Sequence, residues 1–72
     1  MEKGTFDLRE NEEYIELMKV LKVMQVAQTG GHAKLIIENG EVFVNGEQEF
    51  RKRKKLKKGD LVTLEGIEIE IV

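Results

Sequence analysis

The chain has 72 residues, no cysteine, and a formal net charge of −2, with 36% of its residues charged. This length predicts one domain over residues 1–72, whose thin core leaves no room for a large catalytic cavity. The lack of cysteine excludes disulfides and thiolate metal sites. The sequence has neither the basic start of a secretion signal nor an apolar run of about 20 residues that could span a membrane, so we expect a cytoplasmic protein with no membrane partner.

The first part of the chain predicts a short strand and then a helix. Thr5 to Leu8 alternates polar and apolar residues, as strands do. Asn11 is predicted to cap the helix, with Glu12 and Glu13 in its first turn, where carboxylates are favoured. The i, i+3, i+4, i+7 spacing predicts that one helical face is formed by Tyr14, Leu17, Met18 and Leu21.

A second helix is predicted between Thr29, a good N-cap, and Gly40, because glycine adopts the left-handed conformation after a helix at little cost. The link over residues 24–28 is short, so we expect the two helices to be in direct contact. The apolar stripe of the second helix is formed by Ala33, Ile36 and Ile37.

From residue 41 the pattern is that of strands and turns. Asn45-Gly46 predicts a hairpin between strands over residues 42–44 and 48–50. Turns at Gly59-Asp60 and Glu65-Gly66 flank two further strands, over residues 61–64 and 67–71, with the last strand's isoleucines facing the core. We therefore expect an α+β fold, in which two N-terminal helices pack on a small, mainly antiparallel sheet.

Seven of the eight residues from Arg51 to Lys58, hereafter the basic segment, are Lys or Arg. The whole chain has 12 Lys plus Arg, so more than half of its positive charge lies in this segment. Such a local field attracts a polyanion, most commonly nucleic acid. The density of like charges predicts an exposed loop, with Leu56 turned inward as its apolar anchor.

Residues 29–60 combine a hydroxyl cap, the pair Ala33-Lys34, the run Val42-Phe43-Val44-Asn45-Gly46, a basic stretch and Lys58-Gly59-Asp60. This order resembles the core of the S-four (S4) RNA-binding domain, the alpha-L motif, and is closest to its small stand-alone bacterial members, the YaaA/YbcJ-like proteins. Two positions depart from the pattern: Gln25 stands where many members have glycine, and Gly30 where larger members often carry arginine. A positive φ at Gln25 would cost on the order of 1 kcal/mol.

The resemblance implies that the second helix and the basic segment face RNA together, with helix N–H groups open to a phosphate. The implied RNA-binding residues are Thr29, Gly30, Gly31, His32, Lys34, Arg51, Lys52, Arg53, Lys54, Lys55 and Lys57. The plain alternatives are that Thr29 only caps the helix, that the glycines relieve crowding, and that His32 and Lys34 are solvated. About four to six cations acting together predict a steep salt dependence of binding.

Aromatic residues are scarce, and we expect Phe6 and Tyr14 in the core and Phe43 partly exposed. A stacking platform for single strands needs several aromatics on one exposed face, so structured RNA recognised through its backbone and shape fits better.

Together with the resemblance, these patterns predict a non-enzymatic, monomeric RNA-binding module with no cofactor, metal or small-molecule substrate. That its target is ribosomal or other structured RNA is what the resemblance implies. His32 is the only histidine, and with no cysteine or serine it completes neither a zinc site nor a hydrolase triad. Two alternatives stay open. A β-grasp sulfur carrier needs a terminal Gly-Gly where this sequence has Ile71-Val72, and a protein-interaction domain would dock an acidic partner on the basic segment.

Overall fold

A computed structural model describes residues 2–8 and 12–72 and confirms the α+β class, with two helices on a mainly antiparallel sheet. Its elements are β1 (Glu2–Phe6), β2 (Ile15–Glu16), α1 (Leu17–Val23), α2 (Gly30–Glu38), β3 (Phe43–Val44), β4 (Glu47–Gln48), β5 (Lys55–Leu56), β6 (Leu61–Leu64) and β7 (Ile67–Ile71). No helix in the described ranges is long and apolar enough to cross a membrane.

Five strands form the larger sheet, in the order β1-β7-β6-β3-β4. Strand β1 runs parallel to β7, with Gly4 opposite Ile69, and the other neighbours are antiparallel. Two residues from β2 and two from β5 form a separate antiparallel pair, in which Ile15 lies opposite Leu56. This small pair joins the start of α1 to the basic segment.

The core lies between the larger sheet and the two helices. Alternation along the strands turns Val62, Leu64, Ile69 and Ile71 inward, as the period of a half-buried strand requires. The helices contribute Leu17, Val20 and Leu21 from α1 and Ala33 and Ile37 from α2. Ile36 and Ile67 pack at the edge of this cluster.

Local signals located α2 and the turns correctly. Thr29 is the N-cap, and its Oγ1 accepts a hydrogen bond from the backbone N–H of His32 at 3.0 Å. Gly40 follows the helix with a φ of 78°. The hairpin turn between β3 and β4 contains Asn45 and Gly46, with φ of 52° and 84°, as its short loop demands.

The first helix begins later than its sequence predicts. It starts at Leu17, and Glu16 occupies the N-cap position in an extended conformation without a side-chain cap. Glu12 and Glu13 therefore precede β2 and are not in a helical turn, while the predicted cap, Asn11, lies outside the described residues. Placing Tyr14 in the helix and in the core was wrong, since it precedes β2 and is 41% exposed.

The strand predictions need three smaller corrections. The first strand covers Glu2–Phe6 and not residues 5–8, because it follows the length of β7, its parallel partner. The return strand of the hairpin is Glu47–Gln48, which ends before Phe50. Within the basic segment Lys55 and Leu56 form β5, although the charge density predicts a loop throughout. The strand buries no charge, because Lys55 is exposed and Leu56 is the buried residue.

Candidate nucleic-acid interface

The first half of the basic segment is a tight turn. The backbone N–H of Lys54 donates to the carbonyl oxygen of Arg51 at 3.1 Å, which closes the turn and places Lys52 and Arg53 at its tip. Four positive side chains therefore emerge from one short length of backbone.

Backbone hydrogen bonds fasten this turn to the start of α1. The N–H of Leu17 donates to the carbonyl oxygen of Lys54 at 2.9 Å, and the N–H of Met18 donates to that of Lys52 at 3.0 Å. The first N–H groups of a helix lack partners within the helix, so the turn supplies them. Leu56, which is fully buried as predicted, adds an apolar anchor next to this attachment.

The far end of the basic segment is fixed by the two turn motifs. Asp60 accepts hydrogen bonds through Oδ2 from the N–H of Lys57 at 2.8 Å and through Oδ1 from Nδ2 of Asn45 at 3.0 Å. The Oδ1 atom of Asn45 in turn accepts from the N–H of Leu61 at 2.9 Å. The Asn-Gly and Gly-Asp motifs therefore tie the end of the basic segment to the hairpin.

The first cation of the segment is already neutralised by a neighbour. Nε and Nη2 of Arg51 donate to the two carboxylate oxygens of Glu49 at 2.9 and 3.2 Å. This hydrogen-bonded partner lowers the pKa of Glu49, and the positive charges of Arg51 and Lys54 add to the effect. Arg51 is therefore a weaker candidate for phosphate contact than its sequence suggests.

The remaining cations are free to meet an external anion. Within residues 2–8 and 12–72, the ion pairs are Lys3–Glu68 and Arg51–Glu49, so the six other basic residues of the segment have none there. The ammonium of Lys55 lies 4.9 Å from the ring centroid of Tyr14, a cation–π geometry that orients the side chain without cancelling its charge.

The turn borders an open depression of about 620 Å3. Its lining contains five consecutive residues of the basic segment, Arg51 to Lys55, together with Phe50 and Glu38. Glu38 lies in the last turn of α2, so the depression meets this helix at its C-terminal end and not at its N-terminus. Lys34, which is exposed, lies one helical turn before Glu38 on the same face.

The other predicted residues of α2 are less close to this depression. His32 borders a different concavity, together with Glu41 and Glu65, and its Nδ1 accepts from the N–H of Gln28 at 3.2 Å. A Cβ added to Gly30 would meet nothing within 4 Å, and one added to Gly31 only Thr29 Oγ1 at 3.8 Å, so crowding does not explain these glycines. Lys57 is exposed but lies outside the lining.

Three side chains near the site were missed by the sequence reasoning. Phe50 is 54% exposed and lines the depression, and its position directly before a basic run was the available signal. Glu49 was detectable as an acid two residues before Arg51. Glu38 had no signal, since its approach to the basic segment depends on the tertiary fold.

The chain is similar to known proteins over most of its length. The family model described as "S4 domain" matches residues 6–72. A probable ribosome maturation protein, RlbA of Bacillus subtilis (strain 168), is 44% identical over 54 residues, which cover 75% of this chain and 76% of that protein. A putative RNA-binding protein, YbcJ of Escherichia coli (strain K12), is 35% identical over 69 residues, which cover 96% of this chain and 97% of YbcJ.

The fold also matches a solved structure. The solution structure of YbcJ from E. coli, described as having an alpha-L motif involved in RNA binding, superimposes with a TM-score of 0.70 at 35% identity. The match covers 94% of this chain and 85% of the YbcJ chain. Both the helices and the sheet are therefore shared with that structure.

Proposed function

Since the chain belongs to the S4 domain family, we propose that it is a non-enzymatic RNA-binding module that acts as a monomer in the cytoplasm. Its contact surface would be the free cations of the basic segment that line the depression, Lys52 to Lys55, with Lys34 extending the surface along α2. Thr29, Gly30, Gly31, His32, Arg51 and Lys57 would have peripheral roles, since they lie outside the depression or already have a partner.

One observation carries this proposal: the cations are presented by a rigid turn. A solvated charge cluster needs no fixed backbone, whereas this turn is attached to α1, to the core through Leu56 and to the hairpin through Asp60. Because the backbone of the turn is already ordered, these cations lose only side-chain conformational entropy when they meet an anion, and their fixed backbone positions favour a polyanion with a defined backbone path.

Structured RNA is the class of ligand that we propose. A duplex or folded RNA presents phosphates at regular spacing, and proteins recognise it largely through backbone and shape. The names of two relatives support this class, because one is called a probable ribosome maturation protein and the other a putative RNA-binding protein. Ribosomal RNA is therefore the first target to test.

The test is binding to ribosomal RNA fragments across a salt series, with the double charge reversal Lys52→Glu/Arg53→Glu. About four phosphate contacts predict a slope of log K against log salt of roughly −3, and reversing two cations reduces its magnitude by about 1.5 or more. We expect at least tenfold weaker binding of the variant at about 0.1 M salt.

The matched control is Lys19→Glu/Lys22→Glu, which changes the net charge equally on the exposed face of α1. It is expected to weaken binding much less, because those lysines are outside the depression. Equal losses of RNA affinity in the two variants would mean that only the net charge of the protein matters. A salt slope of Lys52→Glu/Arg53→Glu equal to that of wild type would contradict the proposed contact surface. Retention on heparin without RNA binding would favour an acidic protein partner instead.

A further inference from the structure

Phe50 lies in the depression beside the cations, outside the hydrophobic core. It is 54% exposed, and it does not belong to the cluster of buried residues or to the side chains packed against it. Exposing so large an apolar ring costs free energy that burial would have recovered. An aromatic ring on a basic surface is therefore a candidate contact for a ligand.

The ring of Phe50 lies against the end of α2, where a glycine leaves room for it. A Cβ added to Gly40 would lie 3.2 Å from Cε1 of Phe50, so the absence of a side chain at this position allows the close approach. Gln48, from β4, also contacts the end of α2, because its Nε2 donates to the carbonyl oxygen of Gly40 at 2.7 Å. The ring is thus positioned between the end of a helix and the basic turn.

The neighbours of the ring suit a nucleotide. Five basic-segment residues line the same depression, so a phosphate on either side of a stacked base has cations within the same site. The carboxylate of Glu38, also in the lining, disfavours a phosphate at its own position and leaves that part of the depression to a base. A depression of about 620 Å3 is of the size that holds small ligands.

From this juxtaposition we propose that Phe50 stacks on one unpaired base of the bound RNA while Lys52 and Arg53 contact the phosphates that flank it. The inference rests on the proposed RNA binding and makes it more specific. Bases within a continuous duplex are stacked on each other and present no face to a side chain. The preferred ligand is therefore a folded RNA with a bulged or looped-out nucleotide, not an uninterrupted duplex.

The first experiment compares two labelled RNA hairpins whose strands are joined by a non-nucleotide linker, so that neither has unpaired loop bases, and which differ only in a single bulged nucleotide in the stem. Wild type is expected to bind the bulged hairpin more tightly than the fully paired one, by roughly 5- to 100-fold, the range that one aromatic stacking contact provides. Phe50→Ala should remove that preference and leave affinity for the paired hairpin unchanged. The control is Phe43→Ala, another exposed phenylalanine, 39% exposed, outside the depression.

The second experiment uses the absence of tryptophan from the chain. Phe50→Trp introduces one fluorophore whose emission is expected to be quenched by the bulged hairpin and not by the paired one, because an indole stacks as phenylalanine does. Phe43→Trp should respond equally to both hairpins.

The outcomes separate this inference from the function on which it rests. If neither hairpin nor ribosomal RNA fragments bind wild type, the RNA-binding function itself fails. In another outcome both hairpins bind wild type, and Lys52→Glu/Arg53→Glu binds both of them more weakly. If Phe50→Ala then weakens binding to both hairpins equally or not at all, the phosphate-contacting surface is supported and the stacking site is refuted.

Discussion

At the scale of single residues, the backbone at Gln25 is strained. Its φ is 61°, in the left-handed region that disfavours residues with a Cβ. The short link from α1 to α2 imposes this conformation. The link must reverse the chain within a few residues, with the N–H groups of Val26 and Ala27 both donating to the carbonyl of Leu21.

Gln25→Gly is therefore expected to stabilise the protein. Relief of left-handed strain is worth about 1–2 kcal/mol, and the greater freedom of glycine in the unfolded chain offsets about half of it, so we expect a gain of roughly 0.5–1 kcal/mol. Urea denaturation measures this change. Gln28→Gly, in the same link without a positive φ, should give no gain. A loss of stability in Gln25→Gly would show that the side chain contributes more than its backbone costs.

At the scale of elements, α2 and α1 show which features can be predicted from sequence. The start of α2 depends on Thr29 and its end on Gly40, which flank the helix directly in the sequence, so local rules located it. The start of α1 depends on carbonyl groups of Lys52 and Lys54, far along the chain, and no local signal marks such a partner. The helical spacing of Tyr14 was therefore misleading.

The same limit applies to the candidate interface. Its charge was visible in the sequence, and so was Leu56 as an anchor, because a lone leucine among cations stands out. The approach of Glu38 depends on how the turn and α2 pack, whereas the neutralisation of Arg51 by Glu49 is local and had a signal in the sequence. The roles of the individual predicted residues remain predictions until RNA binding is measured.

Strand β5 makes Leu56 the main apolar link between the basic segment and the core. Leu56→Ala is expected to cost about 2–5 kcal/mol, because it leaves a cavity under the segment, which is a large part of the stability of so small a domain. Thermal or urea unfolding measures the loss. Leu35→Ala, on the exposed face of α2, should change stability by less than about 0.5 kcal/mol. Similar losses in both variants would contradict the anchoring role.

At the scale of the whole molecule, two carboxylates, Glu49 and Glu65, give the stability of the fold opposite dependences on pH. Glu49 has a lowered pKa in the folded protein because Arg51 donates hydrogen bonds to it. The carboxylate of Glu49 therefore stabilises the fold at pH values above its pKa in the unfolded chain, and this stabilisation is lost as the pH falls through its folded pKa. Glu65 has a raised pKa because it shares a hydrogen bond with Glu41 and is repelled by its charge. The contribution of Glu65 to the stability of the fold is present at acidic pH and is lost as the pH rises through the folded pKa of Glu65.

Glu65→Gln is therefore expected to raise the melting temperature near about pH 7, where the charged Glu65 is repelled by Glu41, and to have little effect near about pH 3, where Glu65 is protonated. The increase should be small, because the pair is exposed to solvent. Melting curves at both pH values test it. Glu70→Gln controls for the removal of one negative charge, and an equal gain at both pH values would argue against repulsion as the cause.

The pairing of Ile15 with Leu56 joins residues about forty positions apart, so the basic segment acquires its shape only when distant parts of the chain have met. An unfolded chain carries the same cations along a flexible thread. Such a thread attracts any polyanion equally, whereas the folded chain holds them in one arrangement. Discrimination among nucleic acids would therefore require the native state, because only folding converts a general electrostatic attraction into a defined arrangement of charges.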